Sequence, residues 1–186
     1  MISENNKKKY SRGEIGKIIL KSLLIAGGVA LVLSSPYAAK IIVNYLKGDK
    51  RRFTRSVSRL KKAKYVNSFY RDGKEVIEIT EKGKKRSLQY DFEEMKIETP
   101  KRWDGLWRLV TYDIKENRKR SRDRFVVRLK ELGFYPYQKS IFVFPFECKD
   151  EIDFMKEHLF LGDSISYIEA VRIDNEDLLK KNFKLP

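Results

Sequence analysis

The sequence predicts an α+β chain in two parts: a basic N-terminal half of helices closed by a β-hairpin, and a C-terminal half in which elements follow the order β-α-β-β-α-β. Three observations lead there. Residues 50–64 combine apolar side chains at helical spacing with a run of cations, and Asp72-Gly73 separates two alternating runs. Beyond residue 102, four short runs of strand formers are divided by two segments of helical period. The 186 residues, 41% hydrophobic and 12% aromatic, suffice for one good core or two small ones.

A formal net charge of +15 points to a polyanionic partner, either nucleic acid or an acidic membrane surface. The charge is uneven: residues 1–102 carry 25 Lys and Arg against 11 Asp and Glu, and residues 103–186 carry 16 against 15. A binding surface is therefore expected mostly in the first half. The single cysteine, Cys148, excludes an intramolecular disulfide and a Cys-based zinc cluster, and fits a reducing cytoplasm. His158, in KEHLF, has no second His or Cys beside it and reads as surface or boundary packing rather than a metal ligand or nucleophile.

The first element is IILKSLLIAGGVALVLSSPYAAK, residues 18–40. Its uncharged part, Ser22 to Ala39, is about 18 residues long, the lower edge of a membrane span. Ser34, Ser35 and Pro36 form a helix-start signal that cuts it. The expectation is a core helix over Ile18 to Leu33, with an N-terminal membrane anchor as the alternative. The polar lead MISENNKKKYSRGEIGK, with no small-x-small site after it, speaks against a secretory signal. YAAKIIVNYLKG then places Ala39, Ile42, Val43 and Leu46 on one face of a short helix stopped by Gly48.

With Asp49 as its cap, the next helix puts Phe53, Val57 and Leu60 on one face and Arg51, Arg55, Ser58, Arg59 and Lys62 on the other, with Arg52 beside them. From Arg51 to Lys64 there are seven cations and no acid. Like charges at helical spacing cost a few tenths of a kcal/mol per pair, so a partner outside the chain is expected to offset them. YVNSFYRDGKEVIEIT follows as a hairpin about Asp72-Gly73, both of which tolerate positive φ. Helix, helix, basic helix, hairpin is the order of a winged helix-turn-helix. The basic helix is expected in the major groove, with Arg71 and Lys74 of the wing at the adjacent backbone. EKGKKRSLQYDFEEMKIETP continues as a helix that fades into a linker ending at Pro100.

In the second half, Leu106, Leu109, Val110 and Tyr112 form a strand after Asp104-Gly105, and Asn117 to Leu132 a helix with Phe125, Leu129 and Leu132 on one face, ended by Gly133. FYPYQ and SIFVFPF are two short strands, KDEIDFMKEHLF a helix burying Ile152, Met155 and Leu159, and SISYIEAVRID a last strand. This is the ferredoxin-like plait, an antiparallel sheet with two helices on one face. The predicted parts are a DNA-binding domain at 1–90, a linker at 91–102 and a ferredoxin-like dimerisation domain at 103–186.

Trp103 to Asp174 resembles the small ferredoxin-like subunit of CRISPR spacer acquisition. Its strand ends in Tyr112-Asp113-Ile114, and after the helix come Gly133 and then Gln138, Lys139, Ser140, Ile141 and Phe142. The layout as a whole resembles the PaaX type of transcriptional repressor, most specifically in WDGLWRLVTYDI and LGFYPYQKSIFVFPFEC, and Ile79 to Lys85 is similar to the way many winged-helix regulators leave the wing. Proteins of the PaaX type usually run on into a further helical region, and their first helix is usually less apolar. The resemblance implies a cytoplasmic homodimeric repressor that needs no cofactor and binds double-stranded DNA at a palindromic operator.

The same resemblance raises a second possibility for Asp113. In the CRISPR subunit the matching aspartate is assigned to a metal-dependent nuclease, two carboxylates holding one Mg²⁺ across a dimer. The alternative is a local role, with the Asp113 side chain accepting backbone N–H bonds in the turn. RNA stays open as the ligand, since aromatic neighbours such as Phe53 and Tyr65 fit either nucleic acid.

Overall fold

A computed structural model describes residues 12–25, 31–32 and 50–186. The chain is mixed α+β, with two antiparallel sheets among the described residues, and forms two compact units, Met1–Asp91 and Phe92–Pro186.

In the first unit, α1 (Arg12–Ile25) is followed by β1 (Leu31–Val32), α2 (Lys50–Lys62), β2 (Val66–Arg71), β3 (Lys74–Ile79) and the start of α3 (Glu81–Glu94). The strands are ordered β1-β3-β2, with Leu31 opposite Ile77, Val66 opposite Ile79 and Arg71 opposite Lys74. Asp72 and Gly73 adopt φ of 51° and 70°, which matches the right-handed twist of the flanking strands in a two-residue hairpin. Ile15, Ile19, Leu20 and Leu23 of α1 pack with Val57 and Leu60 of α2 and with Val66, Ile77 and Ile79 of the sheet.

The expectation of one helix over Ile18 to Leu33 is corrected: α1 ends at Ile25, and Leu31–Val32 pairs with β3. The reason is local. Gly-Gly in the sequence is a poor helix continuation and Val favours strands, and Leu31–Val32 stands in register with Ile77 and Val76. Ser34 to Pro36, the short helix read in YAAKIIVNYLKG and the Asp49 cap lie outside the described residues. No helix among the described residues is long and apolar enough to cross a membrane.

α3 begins at a tight junction. The Thr80 hydroxyl accepts the Gly83 N–H at 3.0 Å, capping the helix, and donates to the carbonyl oxygens of Lys64 and Tyr65 at 2.8 and 3.1 Å. The Thr80 N–H also donates to the Tyr65 oxygen, at 3.0 Å.

The second unit runs β4 (Trp107–Tyr112), a 3₁₀ turn (Glu116–Arg118), α4 (Lys119–Glu131), β5 (Tyr135–Gln138), β6 (Ile141–Phe144), α5 (Lys149–His158), β7 (Ile165–Ala170) and α6 (Glu176–Phe183). The strand order β5-β6-β4-β7, antiparallel throughout, is that of the ferredoxin-like plait. Period-two alternation separates two faces. Val110, Phe142, Phe144 and Ile165 pack on Phe125 and Leu129 of α4 and Ile152 and Met155 of α5. On the opposite face Trp107 and Val143 cluster with Leu179 of α6, a helix absent from the sequence expectation. Phe92, Met95 and Ile97 join the first of these cores.

His158 stacks on Phe92 at 4.8 Å and on Phe154 at 5.8 Å between ring centroids. Burial, then the nearby Arg124 cation, holds its pKa below the ordinary 6.5 against the pull of Glu93. The folded state therefore favours the neutral ring. Stability from this site is complete above pH 6.5 and is lost as pH falls through the lower folded value. Thermal melts from about pH 8 to about pH 5 should show a decline in Tm that begins near 6.5, and His158→Phe, which keeps a stacking ring without a titrating proton, should flatten it.

Candidate nucleic-acid interface

The basic face expected on residues 50–62 is built by α2. Its apolar edge, Val57 and Leu60, is 4% and 8% exposed, and Phe53 packs beside them. That burial against α1 and the sheet turns the opposite edge outward, where Arg51, Arg55, Ser58, Arg59 and Lys62 are all exposed and Arg52 is half-buried. The side chains of Arg51, Arg55, Ser58 and Lys62 make no hydrogen bond or ion pair among the described residues, whereas Arg59 donates to the buried Ser56 hydroxyl at 3.1 Å. Arg52, Arg55, Ser56, Ser58 and Arg59, with Ile15 of α1, line an open concavity of about 510 Å³. A surface of cations and hydroxyls with no acid among its described lining residues is suited to phosphate oxygens.

The hairpin is tied to α2 by an ion pair between Lys61 and Glu75 of β3. β2 is the sheet edge, and from Asn67 onward all its residues are exposed, including Arg71 at the turn. Lys74 opens β3, and its side chain lies outside the described part.

A second basic stretch lies in the half whose total charge is nearly balanced. Between residues 115 and 130 there are eight cations and two acids. Arg122 pairs with Glu116 at 2.8 Å and Arg128 with Glu131 at 2.8 Å, and the Arg118 guanidinium donates to the Phe160 carbonyl. Lys115, Lys119, Arg120 and Lys130 are exposed and form no ion pair among the described residues. Summing charge over the whole half conceals this run, and a shorter window would have found it.

Asp113 closes β4. Its N–H donates to the Ser164 carbonyl at 2.9 Å, while its carboxylate is exposed and makes no hydrogen bond among the described residues. The 3₁₀ turn that follows has Lys115 at its start and no side-chain cap. No group of three or more His, Cys, Asp or Glu among the described residues could hold a metal ion.

Two conspicuous residues of WDGLWR serve the fold. Trp107 is fully buried, and Arg108, 2% exposed, donates to Asp104 at 2.7 Å and to the carbonyl oxygens of Leu106 and Pro145 at 2.9 and 3.0 Å. The Arg108 hydrogen bond holds the Asp104 carboxyl below its ordinary range. Asp104 in turn accepts the Leu106 N–H at 3.0 Å, so this turn is spent on entering the sheet.

No curated protein matches the chain. Residues 100–181 match the family model of the PaaX protein central Cas2-like domain, and this part of the chain is similar to that domain.

Proposed function

We propose that the chain is a DNA-binding transcriptional repressor of the PaaX type, working in the cytoplasm as a homodimer. In this reading the first unit is a winged helix-turn-helix. α2 enters the major groove with Arg51, Arg52, Arg55, Ser58, Arg59 and Lys62, and the hairpin brings Arg71 and Lys74 to the neighbouring backbone. The observation that carries it is the outward face of α2, with four polar side chains that have no partner among the described residues, on a helix whose other edge is buried. Pairing of the Cas2-like domains would set two such helices on a palindromic site.

The exposed Asp113 carboxylate supports a second reading, a Mg²⁺-dependent nuclease in which two chains each give one carboxylate to the ion. One experiment separates them: purified protein with a labelled duplex from its own upstream region, with and without Mg²⁺, on native and denaturing gels. The repressor reading expects retention of intact duplex. It also expects Asp113→Ala to keep wild-type affinity and a stability within about 0.5 kcal/mol, since the carboxylate holds nothing in place. Strand scission that needs Mg²⁺ and disappears in Asp113→Ala would replace it with the nuclease.

A further inference from the structure

Tyr70 stands out on the hairpin. It is 77% exposed, and its hydroxyl makes no hydrogen bond among the described residues. Single exposed aromatics are ordinary on protein surfaces and by themselves require no partner. Tyr70 differs in its setting. Along β2, residues 66, 68 and 70 share one face of the sheet, and Val66 on that face belongs to the core that holds Val57 and Leu60 of α2. Tyr70 lies opposite Glu75 in the ladder, and Glu75 is the residue paired with Lys61 of α2. The ring therefore sits on the α2 side of the sheet, across from the Glu75–Lys61 pair and next in sequence to Arg71 at the turn, on an edge strand with no neighbour beyond it among the described residues.

Resting on the DNA-binding reading above, we propose that Tyr70 is a contact residue of that interface: its ring packs against the deoxyribose edge of the duplex and its hydroxyl donates to a phosphate oxygen. The exposed cations of α2 and the hairpin suit a polyanion, and among polyanions a duplex offers apolar sugar rims alternating with acceptor oxygens. A phenol can satisfy both at once. The physical signature differs from that of an arginine. Each cation that neutralises a phosphate releases counterions and steepens the dependence of affinity on salt, whereas a neutral ring adds affinity without changing that slope.

The test is a salt titration of duplex binding by the full chain in four forms: wild type, Tyr70→Ala, Tyr70→Phe and Arg71→Ala, with the upstream duplex as probe. Tyr70→Ala is expected to bind about tenfold more weakly at every salt concentration with the wild-type slope. Tyr70→Phe should recover most of that loss, and Arg71→Ala should lower the slope by about one. The exposed ring leaves the fold intact when removed, which circular dichroism would check. Tyr70→Ala binding as tightly as wild type, or losing affinity only together with the slope, would overturn the inference while leaving the DNA-binding reading in place. A wild-type chain that retains no duplex would overturn both.

Discussion

Reversing Arg55 and Arg59 together to glutamate is expected to abolish retention of duplex DNA. Both side chains sit on the exposed edge of α2 and line the same concavity. The double variant replaces two cations of the proposed interface by two anions. By counterion release alone, losing two phosphate contacts flattens the salt dependence by roughly 1.8 in log–log slope. With the added repulsion, the affinity loss at near-physiological salt should exceed about a hundredfold. The core contacts of α2 run through Val57 and Leu60, so the far-ultraviolet circular dichroism should be unchanged. A folded double variant that binds like wild type would remove α2 from the interface. The matching reversal of Lys119 and Arg120 on α4 asks whether the second basic stretch also meets the duplex. A partial loss of affinity there would extend the footprint into the Cas2-like domain, and wild-type binding would confine it to the first unit.

Gly83→Ala is expected to destabilise the first unit by about 3 kcal/mol, the upper end for a forced overpacking. A Cβ built on Gly83 would stand 2.0 Å from the Tyr65 carbonyl oxygen and 2.8 Å from Cγ1 of Ile79. The nearer atom is backbone, already held by the Thr80 N–H and hydroxyl, so it has no free direction in which to yield. For a unit of this size the Tm should fall by more than about 10 °C. Gly13→Ala is the control: it lies in α1 with nothing within 4 Å of the added carbon, and should be neutral or slightly stabilising. Equal melts for the two variants would show that the α3 junction does not carry this constraint.

The Gly83 junction also shows what could and could not be read in advance. The run ITEKGKK was visible as a pattern, but its reason is an approach between α3 and a carbonyl 18 residues earlier, which no local period encodes. The hairpin was legible because Asp72-Gly73 names its own turn, and the four strands of the plait because their apolar residues alternate or run together between breakers. α2 was legible for the same reason: its apolar stripe and its cations fall on opposite sides of one helical wheel. The first apolar stretch misled because Leu and Ile serve helices and strands alike, so the pairing of Leu31–Val32 with β3 overrode the periodicity. α6 was missed because its apolar members, Leu178, Leu179 and Phe183, are few and it takes its place from the Trp107 face of the sheet. The role of Arg108 had no signal in the sequence, since only the folded turn brings Asp104 and the Pro145 carbonyl around it.

Cys148 gives the protein a practical handle. Its thiol is 1% exposed, and burial pushes its pKa up to about 12, so at neutral pH almost none of it is the reactive thiolate. It is also the only cysteine in the chain. A second cysteine introduced at an exposed position of α2 or the hairpin could therefore take a maleimide dye or a spin label selectively, with Cys148 left in place. Distances and mobilities at the surface of interest could then be followed in an otherwise native chain.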